Sequence, residues 1–130
     1  MSAQDRRHAA GVARRFDSSC PGSTPDWGVA AALMHDVGKI DSRLGTFGRV
    51  LATLATAIVG HDRATGWSRH RGFTRRVGLY LRHAELGSAL LAGAHSDPRV
   101  QAWAGEHHSP EARWTLPLDV ARALKAADDD

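Results

Sequence analysis

Apolar residues in this chain recur every three or four positions, and no segment alternates strongly enough to read as a strand. Ala9, Val12, Ala13 and Phe16 fall on one helical stripe, and Trp27, Ala30, Ala31, Met34 and Val37 on another. Alanine, leucine, valine and arginine dominate, while aromatic residues make up only 6% of the chain, a balance that favours helix over sheet. The spacing predicts helices over 5–16, 26–37, 49–59, 74–92, 98–108 and 118–128. The expected fold is all-α: one compact bundle of about six helices occupying 1–130 as a single domain. Thr24 and Asp97 are the expected caps, each followed by a proline at the first turn, and Gly38 is the expected stop of the second helix. Gly78 and Gly87 weaken the 74–92 segment. Loops are expected at 18–26, 40–47, 61–72 and 109–117. Trp27, Trp103 and Trp114 belong to the expected core, whereas Trp67 lies in the polar, arginine-rich loop and is expected at the surface.

Composition excludes several classes. Cys20 is the only cysteine, so no internal disulfide can form, and a reducing, cytoplasmic setting is the simple expectation. No basic stretch followed by an apolar run opens the chain, and the longest apolar-rich stretch, 50–60, is too short to span a bilayer. The formal charge is +3, and Lys39 and Lys125 are the only lysines. Arginine's planar fork suits phosphate. A codon bias toward Arg, Ala and Gly explains the same composition equally well.

Eight histidines occur, at 8, 35, 61, 70, 83, 95, 107 and 108. His35 and Asp36 stand side by side at the end of an apolar helix, in Leu33-Met34-His35-Asp36-Val37-Gly38-Lys39. His107 and His108 end another helix, and His83 sits inside a helix rich in apolar residues. Carboxylates and imidazoles near a core need partners, and a metal ion satisfies several at once. Imidazole and carboxylate together suit Zn, Mn or Fe rather than calcium.

These strings resemble the HD superfamily of metal-dependent phosphohydrolases. His8 matches the family's early histidine, 33–39 its central doublet, and Asp128, after Ala127, its late aspartate. His83, in His-Ala-Glu-Leu-Gly, and the pair His107-His108 resemble the additional ligands of two-metal members such as the HD-GYP branch. No Gly-Tyr-Pro follows that pair, only Glu111-Ala112-Arg113-Trp114, so nothing points to cyclic di-GMP. The signature that symmetric dinucleoside-tetraphosphate hydrolases carry after their fifth ligand is also absent. A second doublet, His61-Asp62, follows Gly60 in a polar loop and lacks this context.

The resemblance implies an inner metal site of His8, His35, Asp36 and Asp128, with Asp36 bridging to a second ion held by His83 and by His107, His108 or both. One or two divalent transition-metal ions (Fe, Mn or Zn) would activate water against a phosphoester, and Lys39 would neutralise a substrate phosphate. Gly38 is expected to turn the chain so that Lys39 faces the cleft. The implied substrate is a small phosphorylated molecule such as a nucleotide, and no sequence feature separates a monoester from a diester. Two rivals stand beside this reading. One is an HD-type domain that binds a nucleotide or partner without turnover. The other is a basic helical nucleic-acid-binding domain, ranked last because the basic residues are scattered and no recognition helix is evident. The remaining histidines, His61, His70 and His95, have the surface as their default. Asp128 has an alternative as part of the acidic tail with Asp129 and Asp130, and His8 as a surface residue.

Overall fold

The first helix is fixed by its own first turn. Ser2 Oγ accepts the Asp5 amide at 3.1 Å while the Asp5 carboxylate accepts the Ser2 amide at 3.1 Å, a reciprocal cap. The structure, a computed structural model, describes residues 1–20, 24–40, 53, 56–60, 63–64, 66–69 and 71–130. The α-helices described from end to end are α1 (Ala3–Ser19), α2 (Asp26–Met34), α3 (Gly72–Leu81), α4 (His83–Gly93), α5 (Pro98–Glu106) and α6 (Leu118–Asp129). Short 3-10 helices span Val37–Ile40, Gly66–Arg69 and Glu111–Arg113. No strand occurs among the described residues, and the all-helical bundle stands as expected. None of the described helices is long and apolar enough to cross a membrane.

The apolar stripes meet in one core. Val12 and Phe16 of α1, Ala31 and Ala32 of α2, Leu91 of α4, Trp103 and Ala104 of α5 and Leu124 of α6 are buried together, with Trp27 and Trp114 packed against them. α2 lies centrally, against α1, α5 and α6, and α4 packs on α5. The end of α2 therefore points its last turn into the middle of the bundle.

Several boundaries differ from expectation. Thr24 does not cap α2: its hydroxyl donates to the Asp17 carbonyl at 3.3 Å, and Pro25 stands at the cap position without a side-chain bond. α2 ends at Met34, not at 37, and the chain tightens into the 3-10 turn Val37–Ile40. α5 ends at Glu106 rather than at 108, although Asp97 caps it as expected, accepting the Arg99 amide at 2.8 Å. The long helix over 74–92 is two helices, broken at Arg82, whose backbone (φ −99°, ψ 14°) leaves the helical region. The expected loop over 61–72 is partly helical where described: Arg63 and Ala64 are helical, Ala64 is fully buried, and Gly66–Arg69 coils against α3. Trp67 is half-buried against Val77, Tyr80 and Leu81 rather than exposed. Gly78 permits this contact, since a side chain there would run into the Ser68 amide. In the expected helix over 49–59, Thr53 and residues 56–59 are helical; its other residues, and the expected loop over 41–47, lie outside the described residues.

Candidate metal centre

Five helices deliver the candidate ligands to one point. His35 is the C-terminal cap residue of α2 and Asp36 follows it; both are buried, at 1% and 3% exposure. His83 is the first residue of α4, not a mid-helix residue, and His107 and His108 follow α5 directly. His8 comes from α1 and Asp128 from the last turn of α6. Arg15 Nε donates to the Ala127 carbonyl at 2.8 Å, which ties the end of α6 to α1 and holds Asp128 in place.

The doublet meets α4 through a backbone contact. A Cβ on Gly38 would stand 1.9 Å from the His83 carbonyl oxygen and 2.6 Å from the Gly87 nitrogen. Gly38 thus serves close approach rather than the turn expected of it. Lys39 Nζ lies on Asp36 Oδ2 in a short ion pair, so the ammonium faces the doublet itself. Gly87 escaped sequence reasoning. The available signal was its spacing, one helical turn beyond His83 and so on the same face.

Asp36 is the hub. Its Oδ1 lies 3.4 Å from His83 Nε2 and 3.8 Å from His107 Nε2, and its Oδ2 lies 3.5 Å from His35 Nε2. Asp128 Oδ1 lies 3.2 Å from His35 Nε2 and 3.1 Å from His8 Nε2. Donor atoms bound at about 2.1 Å around one tetrahedral ion are about 3.4 Å apart. The spacings match the edges of such a coordination shell. Two groups could each hold an ion: Asp36, His83, His107 and His108, and His8, His35 and Asp36. Asp36 belongs to both.

The tautomers follow from the backbone. His35 Nδ1 donates to the Ala32 carbonyl at 2.8 Å, His83 Nδ1 to the Tyr80 carbonyl at 2.7 Å, and His107 Nδ1 to the Ala104 carbonyl at 3.1 Å. A carbonyl only accepts, so each Nδ1 carries a proton, and in its neutral form each ring turns a bare Nε2 lone pair toward Asp36. His108 Nε2, 3.0 Å from His83 Nε2, must then be the donor of that contact. His35 Nε2, His107 Nε2 and Asp36 Oδ1 are buried without a hydrogen-bond partner. With the rings neutral, these are three buried acceptors that repel one another unless a cation, a proton or a metal ion, lies between them.

Electrostatics follow the same layout. Burial opposes ionisation of Asp36, yet the His83 contact and the Lys39 and His35 charges hold it well below the usual carboxylate range. Burial likewise opposes Asp128, and His35 outweighs it in the same direction. Burial lowers His35, but Asp128, Asp36 and the Ala32 carbonyl outweigh that and raise it. For His107 the balance falls the other way: burial, then the neighbouring His108 and His35, outweigh the attraction of Asp36 and push it down to about 3. Burial and His83 also lower His108.

Every candidate named from the sequence reaches this cluster: His8, His35, Asp36, Lys39, His83, His107, His108 and Asp128. His8 and His108 are its exposed members. His95 is exposed, as expected, and His61, Asp62 and His70 lie outside the described residues. No family model matches the chain, and neither a curated protein nor a solved structure matches it.

Proposed function

We propose that this protein is a metal-dependent phosphohydrolase of the HD type, acting on a phosphoester of a nucleotide or another small phosphorylated molecule. The observation that carries the reading is the meeting of three buried, unpartnered acceptors, His35 Nε2, His107 Nε2 and Asp36 Oδ1. Neutral imidazoles and carboxylates select a borderline ion such as Fe, Mn or Zn. Asp36 bridges the two ligand groups, with His8, His35 and Asp128 on one side and His83, His107 and His108 on the other. Ions held there supply Lewis acidity and a water acidic enough to ionise near neutral pH. The chain's own residues do the rest. The Ala32, Tyr80 and Ala104 carbonyls hold the rings in the ligating tautomer, and Lys39, beside Asp36, places a cation where a phosphate oxygen would arrive. His108 and His8, at the exposed rim, leave the centre open to a substrate.

The test is elemental analysis of untagged protein, wild type against Asp36→Ala, together with phosphate release from mono- and diesters. Up to two equivalents of Fe, Mn or Zn are expected, lost in the variant together with turnover. Turnover that survives Asp36→Ala overturns the assignment. Metal without turnover on any phosphoester favours a binding domain of the same architecture.

A further inference from the structure

The ligand cluster does not account for the cleft beside it. This cleft, about 860 Å³, opens at His83 and His108 and is walled by Gly66–Arg69, by the junction of α3 with α4, and by Ser109 after α5. Pockets of about 300 to 1,000 Å³ enclose whole drug-sized molecules, so a lone phosphate at the centre would leave most of this one empty. Among the described residues its walls carry two arginines, Arg69 and Arg82, against one carboxylate, Glu85.

The two arginines differ. Arg82 is already engaged: its Nε and Nη2 donate to the Glu85 carboxylate at 2.9 and 2.8 Å, and its Nη1 lies 3.4 Å from Ser68 Oγ. Arg69 makes no hydrogen bond or ion pair among the described residues, and the coil that carries it is pressed against α3 through Gly78. A guanidinium without a partner among the described residues, on an anchored wall of a cleft that Ser68 and Ser109 also line, is suited to bidentate recognition of an anion.

We propose that the cleft binds the non-reacting part of the substrate and that Arg69, supported by Arg82, takes a second anionic group there. The substrate is then an organic phosphate bearing at least two phosphate groups, not a simple monoester. This inference rests on the phosphohydrolase reading of the adjoining cluster. The probes are adenosine 3′,5′-bisphosphate and adenosine 5′-monophosphate, titrated calorimetrically at fixed ionic strength into the Mn-loaded protein. The bisphosphate is expected to bind about tenfold more tightly. Arg69→Gln removes that advantage and leaves the monophosphate unchanged, and Glu85→Gln, which releases Arg82, enlarges it. Equal affinities in the wild type, or no binding of either probe, overturn the proposal. So does an advantage that survives Arg69→Gln. Phosphate release is followed in the same samples: none, with the affinity difference intact, sinks the hydrolase reading alone, whereas release with equal affinities sinks this subsite alone.

Discussion

Replacing Gly38 with alanine tests whether the centre depends on backbone contact. The added Cβ would lie 1.9 Å from the His83 carbonyl oxygen, 2.8 Å from the His83 carbonyl carbon and 2.6 Å from the Gly87 nitrogen. Carbon and oxygen approach to about 3.3 Å, so the segment carrying the doublet must retreat by about 1.4 Å. All three obstacles are main-chain atoms, which cannot rotate aside as a flexible side chain would. Overpacking of this kind costs about 3 kcal/mol, the upper part of its usual range. With an unfolding entropy of about 2.1 cal/mol/K per residue, the melting temperature should fall by about 10 °C. Metal ligand distances tolerate about 0.2 Å, so the retreat also pulls Asp36 away from His83 and His107, now 3.4 and 3.8 Å distant. Calorimetry and elemental analysis read the two effects together. Gly93→Ala is the control. Nothing lies within 4 Å of its Cβ, and alanine is the better helix former, so stability should hold or rise slightly. A Gly38→Ala protein that melts like the wild type and keeps its metal would refute the reasoning.

His107 sets an acid dependence. In the metal-free fold its pKa is pushed down to about 3, below about 6.5 in the unfolded chain. Between those values the unfolded state binds a proton that the folded state does not. Stability should therefore fall as pH falls, by up to about 1.4 kcal/mol per unit. His107→Gln should flatten urea-derived stability between pH 6.5 and 4.5, and an unchanged slope would count against the buried neutral ring. Arg15→Met removes the donor to the Ala127 carbonyl, a loss of about 1 kcal/mol. It should speed amide exchange in the last turn of α6 and weaken metal retention on the His8 and His35 side; protection equal to wild type would show that Asp128 is held by other means.

How much of this was legible beforehand depended on the range over which each signal acts. The His35–Asp36 doublet at the end of an apolar helix, and the Asp97–Pro98 start of α5, are local features, and local features read well. The helix break at Arg82 did not, because Gly78 and Gly87 look like weak helix formers until the segments they touch are known. Gly78 accommodates Ser68, and Gly87 faces Gly38. Ala64 is buried within a segment whose arginines and glycines suggested a solvated loop. The reciprocal cap of α1 was missed because aspartate, shorter than the usual glutamate, fills the reaching-back position at Asp5. The placement of Asp128 in the cluster depends on Arg15 and Ala127, a contact 112 positions apart in the chain.

The Nδ1 protons of His35, His83 and His107 rest on neutral main-chain carbonyls rather than on carboxylates. A carboxylate in that position would draw the proton toward itself and push electron density through the ring to Nε2. A carbonyl does so only weakly, so these rings would be modest electron donors and would leave more of a bound cation's charge unquenched. Asp36 and Asp128 are the carboxylates of the cluster among the described residues, so two divalent cations held there would outweigh them, and Lys39 would add to the excess. The pitch of the helices would in this way set the Lewis acidity of any ion held there and its attraction for dianions.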